Sequence, residues 1–181
     1  MSILGIIALV FGVAGVLLTI KQSIWCWPAA LISVVTSGTE FYQTRLYGDM
    51  ALQVFYFIAG VYGWIYWGKN KTKVFKVTKI PLNMVTLLVG FTIAQFVIYY
   101  ILLRYFKGDK VVFDSILTAC SITATYMMTK KWLENWLCWV LIDFAYIALY
   151  GLKELWLYAI LYFVFTIMAA YGFYKWKKIR S

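Results

Sequence analysis

The sequence predicts an all-α integral membrane protein: seven transmembrane helices, arranged as two parallel three-helix repeats joined by one helix, a 3+1+3 order. Three observations predict it. The 181 residues are 64% hydrophobic and only 13% charged, with mean hydropathy +0.80, which is more apolar side chain than one soluble core of this length can cover. Charges and turn residues cut the chain into seven apolar stretches, each close to the ~20 residues that cross a bilayer as a helix. Short motifs from the first half return in the second.

The stretches are 3–20, 24–42, 50–67, 80–103, 111–128, 133–150 and 155–174. The first, within MSILGIIALVFGVAGVLLTIK, lacks a basic leader and a small-residue cleavage site, so it reads as a retained span rather than a signal peptide. The second opens near Trp25-Cys26-Trp27-Pro28 and carries Ser33, Thr36, Ser37 and Glu40 on one face. Pro28 there is either N-terminal in its helix or a hinge. The third carries Gln53, an amide able to donate and accept inside an apolar run. In the fourth, Pro81 falls in the first turn, where the missing N–H costs nothing. The fifth presents Asp114, Thr118, Ser121 and Thr125 on one face, for pore lining or for interhelical hydrogen bonds. The sixth carries Trp136, Trp139 and Asp143; the seventh runs into the basic tail YKWKKIRS.

Orientation follows from the loops, because the basic excess stays cytoplasmic. Lys21, Lys69, Lys71, Lys73, Lys76, Lys79, Lys130, Lys131, Lys175, Lys177, Lys178 and Arg180 fall on one side; Arg45, Arg104, Lys107, Lys110 and Lys153 fall on the other. The N-terminus is expected outside and the C-terminus in the cytoplasm of a cell inner (plasma) membrane protein. The net charge of +10 is thereby a topology signal and not a nucleic-acid surface. With no histidine, the commonest general base and metal ligand is missing, and no catalytic residues, metal site or cofactor are expected. Cys26, Cys120 and Cys138 are scattered through apolar stretches with no pairing pattern and read as packing residues.

The repeat has two parts. Glu40-Phe41 and Leu46-Tyr47-Gly48 return as Asp143-Phe144 and Leu149-Tyr150-Gly151 at an offset of 103. Tyr62-Gly63-Trp64-x-x-Trp67 resembles Tyr171-Gly172-Phe173-x-x-Trp176 at an offset of 109, which implies a six-residue length difference between the copies. Three helices are an odd number, so one linking span restores the orientation of the second copy. Residues 1–79 are then the first repeat with its cytoplasmic loop, 80–110 the linker helix and loop, and 111–181 the second repeat and basic tail. Parallel repeats of this kind hold a transporter's site near the midplane.

Ionisable groups within spans are costly and are functional candidates for that reason. Trp136, Trp139 and Asp143 stand at i, i+3 and i+7, so two indoles and a carboxylate share one stripe, which Tyr146 and Tyr150 continue. Aromatic faces beside an anion suit a planar organic cation. The alternative is a tryptophan-rich interfacial belt with Asp143 satisfied by a neighbouring hydroxyl or simply protonated. Glu40, matched to Asp143 by the 103 offset, is either a second site residue or helix-joining glue.

These segments resemble the PnuC-type nicotinamide riboside transporters of the Pnu vitamin-transporter family. The likeness is carried by Trp27-Pro28, the run LYGDMALQVFY from Leu46 to Tyr56, the Gly63-Trp64-x-x-Trp67 exit and the Trp136-x-x-Trp139-x-x-x-Asp143 motif, whose last position is Asn or Asp in the family. The resemblance implies a SWEET-like fold, facilitated diffusion (uniport) of a small cationic vitamin, and homotrimers in the lipid bilayer; because an uncoupled carrier only equilibrates its substrate, metabolic trapping by a cytoplasmic kinase is expected. It also implies that Trp136, Trp139 and Asp143 contact the pyridinium-carboxamide end of the substrate, with Gln53 a further contact; Tyr146 from the stripe and Glu40 from the repeat complete the candidate binding residues. Thiamine, another cationic aromatic ring, is the alternative substrate. A substrate-capturing subunit of a vitamin uptake system is the alternative class, with Ala8-x-x-x-Gly12 as a faint docking face. Reporter fusions at Ser181 and within the Lys69–Lys79 loop should report cytoplasm; a C-terminus on the far side would contradict the span count or the charge reading.

Overall fold

The computed structural model describes residues 2–43, 47–69, 76–105, 111–152, 154 and 156–180, leaving aside the side chains of residues 47–49, 51, 157 and 158. Arg45, Leu46, Lys71, Lys73, Lys107, Lys110 and Lys153 of the readings above, and Ser181, lie outside the described residues. Seven helices are present among those described: α1 Ile3–Ile20, α2 Cys26–Gln43, α3 Tyr47–Lys69, α4 Leu82–Tyr105, α5 Val111–Thr129, α6 Asn135–Leu152 and α7 Trp156–Arg180. The all-α expectation holds, and α7 takes the basic tail into the helix. Five helices, α1, α4, α5, α6 and α7, are long and apolar enough to cross a membrane by composition. The helices α2 and α3 are more polar, for the reasons the sequence shows: four hydroxyl residues and Glu40 in α2, Gln53 and many Tyr and Trp in α3.

The chain divides into two compact units, Met1–Lys76 and Val77–Ser181. In the first unit α2 packs against both α1 and α3. The seam of α1 is made of small residues. A Cβ on Gly15 would stand 3.6 Å from the backbone of α2 at Ala30 and Cys26, and one on Gly12 would stand 3.3 Å from the Ser33 hydroxyl. That hydroxyl donates to the Ala8 carbonyl at 2.7 Å. Close backbone approach with hydrogen bonds across the seam is how helices associate where lipid removes the hydrophobic drive. Ala8 and Gly12 are thus taken up inside the unit, against α2.

In the second unit α4 packs on α5, α5 on α6 and α6 on α7. The helix α4 is tied to this unit by a short extended strap. Thr78 N–H donates to the Lys131 carbonyl at 3.1 Å, Leu133 N–H donates to the Thr78 carbonyl at 2.8 Å, and Ile80 N–H donates to the Glu134 carboxylate at 3.0 Å. Further along, the Thr92 and Thr123 hydroxyls meet at 2.8 Å across α4 and α5. Leu88, Met127 and Trp132 fill the space between.

The two units share local geometry at one spacing. The helix C-terminus of α1 closes as a Schellman motif, with Ser23 N–H to Leu18 O and Gln22 N–H to Thr19 O; α5 closes identically, with Trp132 N–H to Met127 O and Lys131 N–H to Met128 O. Gln22 and Lys131 each take the left-handed conformation at φ 54°, the position where glycine is usual. All these pairs differ by 109 in residue number, and so do the first residues of α2 and α6 and of α3 and α7. The spacing of 103 that relates Glu40 to Asp143 does not correspond to equivalent helix positions: 109 residues before Asp143 stands Val34. No length difference separates the copies at these helix starts.

Each unit also contains the same indole–glycine clasp. Trp27, in the first turn of α2, lies over Gly63 of α3, where an added Cβ would meet its ring at 2.3 Å, and packs edge-on against Trp67 at 5.4 Å and 90°. Trp136, in the first turn of α6, lies over Gly172 of α7, where a Cβ would meet its ring at 2.8 Å, and packs edge-on against Trp176 at 5.3 Å and 88°. Pro28 follows Trp27 inside the first turn of α2, where its missing N–H has no intrahelical acceptor to lose; this is the N-terminal reading and not the hinge. Gly63→Ala should destabilise the protein by about 1–3 kcal/mol through overpacking, read as a lowered melting midpoint in detergent. An unchanged midpoint would mean that the Trp27 ring can swing clear.

Candidate substrate-binding site

The strongest cluster of sequence-predicted residues lies on α6. The turn before it is short and hydrogen-bonded, with Asn135 N–H to Trp132 O at 3.2 Å and Trp136 N–H to Leu133 O at 3.3 Å, so the register of the stripe is fixed from its first residue. Asn135 is fully buried and its amide N–H donates to the Trp132 carbonyl at 2.6 Å.

Along the stripe the environments differ. Trp136 is 2% exposed, enclosed by Gly172 and Trp176 of α7. Its indole N–H, like that of Trp27, has no hydrogen-bond acceptor, so shape and not polarity holds both rings. Trp139 is half-buried and packs, with Tyr146, on the Leu117, Ala124 and Ile142 cluster between α5 and α6. Asp143 is 5% exposed, and among the described residues no hydrogen bond or ion pair meets its carboxylate. Tyr146 then stacks on Tyr162 of α7 at 4.6 Å and 25°, and Tyr150 joins the stack at 5.5 Å from Tyr162 and 6.0 Å from Tyr146. Asp143 is therefore bracketed along α6 by two aromatic contacts with α7.

Tyr162 joins the candidate cluster through its stack on Tyr146, a placement the sequence alone does not predict. Its signal was available: Tyr162, Thr166, Ala169, Gly172 and Trp176 fall at helical spacing on one face of α7, and Thr166, Ala169 and Trp176 are all buried. Among so many aromatic residues the face does not stand out without the position of α6.

The other predicted residues sit elsewhere. Gln53 is in the first unit, half-buried, with its aliphatic stem against Gly38 of α2; at the 109 spacing its counterpart is Tyr162. Glu40 is also in the first unit. It lies at the N-terminus of α1, where the Ser2 hydroxyl donates to its carboxylate while Ser2 caps the helix by accepting from Gly5 N–H at 2.9 Å. A carboxylate at a helix N-terminus is favoured by the helix dipole, which gives Glu40 a structural occupation. On α5, Thr118, Ser121 and Thr125 are buried, and Thr125 donates back to the Ser121 carbonyl at 2.8 Å, while Thr123 makes the interhelical bond to α4. An apolar cleft of about 470 Å³ between α4, α5 and α6, bordered by Tyr100, Arg104, Phe113 and Leu152, includes none of the stripe residues.

Apolar spanning helices that bury an acid within an aromatic frame define a multi-pass membrane protein of the transporter class. The sequence profile described as "Nicotinamide mononucleotide transporter" matches residues 2–178, and the chain belongs to that family. It is similar to the nicotinamide riboside transporter PnuC of Escherichia coli (strain K12), 27% identical over 174 residues, covering 81% of this chain and 73% of that protein. It is also similar to the one of the same name from Neisseria mucosa (strain ATCC 25996 / DSM 4631 / NCTC 10774 / M26), 22% identical over 194 residues, covering 98% and 73%. The crystal structure of the vitamin B3 transporter PnuC superposes with a TM-score of 0.79 at 22% identity, over 98% of this chain and 83% of that one; the likeness establishes the fold.

Proposed function

We propose that the protein is a uniporter that carries nicotinamide riboside across the cytoplasmic membrane. The observation that carries this reading is Asp143, a buried carboxylate without a protein partner among the described residues, on a stripe with Trp139 and Tyr146. Such a group is unfavourable in an apolar interior unless a proton or a cation joins it, and a pyridinium ring supplies positive charge and a flat aromatic face together. The names of the relatives point to the same vitamin.

The rest of the reading follows from the chain's composition and its local duplication. The helices α1–α3 and α5–α7 are two repeats and α4 links them, supported by the common 109 spacing. The N-terminus is outside and the C-terminus cytoplasmic, as the loop charges require. The assembly is a homotrimer, as the family resemblance implies. Uniport only equilibrates its substrate, so accumulation comes from a cytoplasmic kinase that phosphorylates it. Thiamine fits the same chemistry and is the competitor against which the substrate is tested.

Two measurements test this. Trp139→Ala should weaken binding of nicotinamide riboside to purified protein by about 1–3 kcal/mol, judged from aromatic and desolvated cation–π contacts, with Trp139→Phe keeping part of it; equal affinity in wild type and the alanine variant would remove the aromatic contact. Liposomes holding only this protein should exchange labelled nicotinamide riboside in both directions, reaching the external concentration whether or not pH or sodium gradients are present. Accumulation above that level that collapses with a proton gradient would replace uniport by coupling, and stronger competition by thiamine would change the vitamin.

A further inference from the structure

We propose that the cleft between α4, α5 and α6 is a lipid site that takes one anionic phospholipid, with its phosphate on the Arg104 guanidinium and one acyl chain among the apolar side chains. The cleft is built from one end of each helix: Tyr100 and Arg104 at the end of α4, Phe113 at the start of α5, and Ala148, Leu149 and Leu152 at the end of α6. Helices α4 and α6 each pack on α5, and the cleft is the space left between them. Successive spans run in alternate directions, so these three ends stand at the same face of the membrane and the cleft opens at headgroup depth. A group the size of a water molecule takes about 30 Å³ and a methylene is close to that size, so the cleft of about 470 Å³ has room for one acyl chain.

The charge at the mouth selects the headgroup. The residues that line the cleft include one cation, Arg104, and no acid. Tyr100, one turn earlier on α4, holds that cation in place: the guanidinium donates to the Tyr100 hydroxyl at 2.9 Å and stands 6.0 Å from the centre of its ring. A guanidinium has five N–H donors, and among the described residues this hydroxyl is the one acceptor it meets, so an edge remains for the two free oxygens of a phosphodiester. A zwitterionic headgroup brings a second cation to a cleft with no acid to receive it, whereas a lipid with one net negative charge balances Arg104. Free phosphate would meet the cation but leave the apolar walls uncovered. On the inner wall Phe113 packs on the Leu117, Ala124 and Ile142 cluster between α5 and α6, so a chain in the cleft braces that packing.

The test uses full-length protein in an uncharged detergent, with phosphatidylglycerol and phosphatidylcholine of the same acyl chains as probes, read by native mass spectrometry and by the melting midpoint. Wild type should hold phosphatidylglycerol at least about fivefold more tightly than phosphatidylcholine, the scale of one cation at a membrane surface, and its midpoint should rise more with the anionic lipid. Arg104→Gln should bring the two lipids to equal affinity, whereas Lys177→Gln, which removes a charge from the exposed tail of α7, should keep the preference. Ala148→Phe, at an exposed position on the cleft wall, should fill the cleft and lower phosphatidylglycerol affinity at least about fivefold. Equal binding of the two lipids by wild type overturns the site, as does an Arg104→Gln variant that keeps the preference. Loss of the preference in Lys177→Gln as well overturns it in favour of a diffuse surface field, and a changed oligomer mass in Ala148→Phe with lipid affinity intact gives the cleft to a second copy. Should Arg104→Gln not fold, Ala148→Phe decides by the same limit. None of these readouts uses a vitamin, so failure here leaves the proposed transport standing.

Discussion

Helices surrounded by lipid gain little by hiding apolar side chains from one another, because the lipid is as apolar as their partners. They are held by close packing and by the few polar bonds that cross a seam. Here the packing contact is an indole laid over a glycine. Gly63 and Gly172 let Trp27 and Trp136 reach the backbone of the next helix, and no other residue would leave that space. The small residues of α1 do the same toward α2, with Ser33 donating to the Ala8 carbonyl across the contact. The geometry of every buried group between these helices depends on those contacts, since a methyl group at either clasp forces a ring, and the helix that carries it, to move.

Within that frame Glu40 and Asp143 have opposite fates. Glu40 has company: the Ser2 hydroxyl and the N-terminus of α1 offset its charge. Asp143 has none among the described residues, and its desolvation is not offset by the protein. A group that costs this much inside a membrane is a candidate for ligand binding, which is the role proposed for it. The local duplication strengthens the contrast, because the position equivalent to Asp143 is Val34 and the position equivalent to Trp139 is Ala30. At the common spacing of 109 the second unit has an acid and an indole where the first has aliphatic side chains.

Much of this was legible from residue types alone. Hydropathy and lysine positions marked all seven helices to within a few residues at nearly every end, and the Trp136, Trp139 and Asp143 spacing marked the stripe, because a 3.6-residue period can be read directly. What was illegible was register and depth. The match of Glu40 with Asp143 at 103 rested on residue identity, whereas helix ends, left-handed caps at Gln22 and Lys131 and both clasps run at 109. Identity misleads where two copies have diverged at the functional positions and kept only their packing. Trp136 and Trp139 likewise look alike in sequence, yet one is enclosed by α7 and the other faces α5; only the neighbouring helix tells them apart. Tyr162 went unnoticed for the same reason, one tyrosine among 15 until α6 is set beside α7.

The charge pattern also bears on a difference between two names, since the family is described by a mononucleotide and its similar members by a riboside. The two compounds differ by a phosphate, which carries close to two negative charges at neutral pH. The helices α1, α2, α5 and α6 contain no Lys or Arg at all, and α3 has only Lys69 in its last turn. A phosphate in the proposed site would meet the Asp143 carboxylate, which has no partner among the described residues, while the cations of α7, Lys175, Lys177, Lys178 and Arg180, stand only in its last two turns; at low dielectric that repulsion is little screened. A pyridinium riboside has the opposite balance, one positive ring and neutral hydroxyls. In the proposed reading the carboxylate that would receive the riboside disfavours its phosphate ester, and phosphorylation in the cytoplasm would turn a two-way carrier into net uptake. In the proposed scheme selectivity and direction rest on one buried charge.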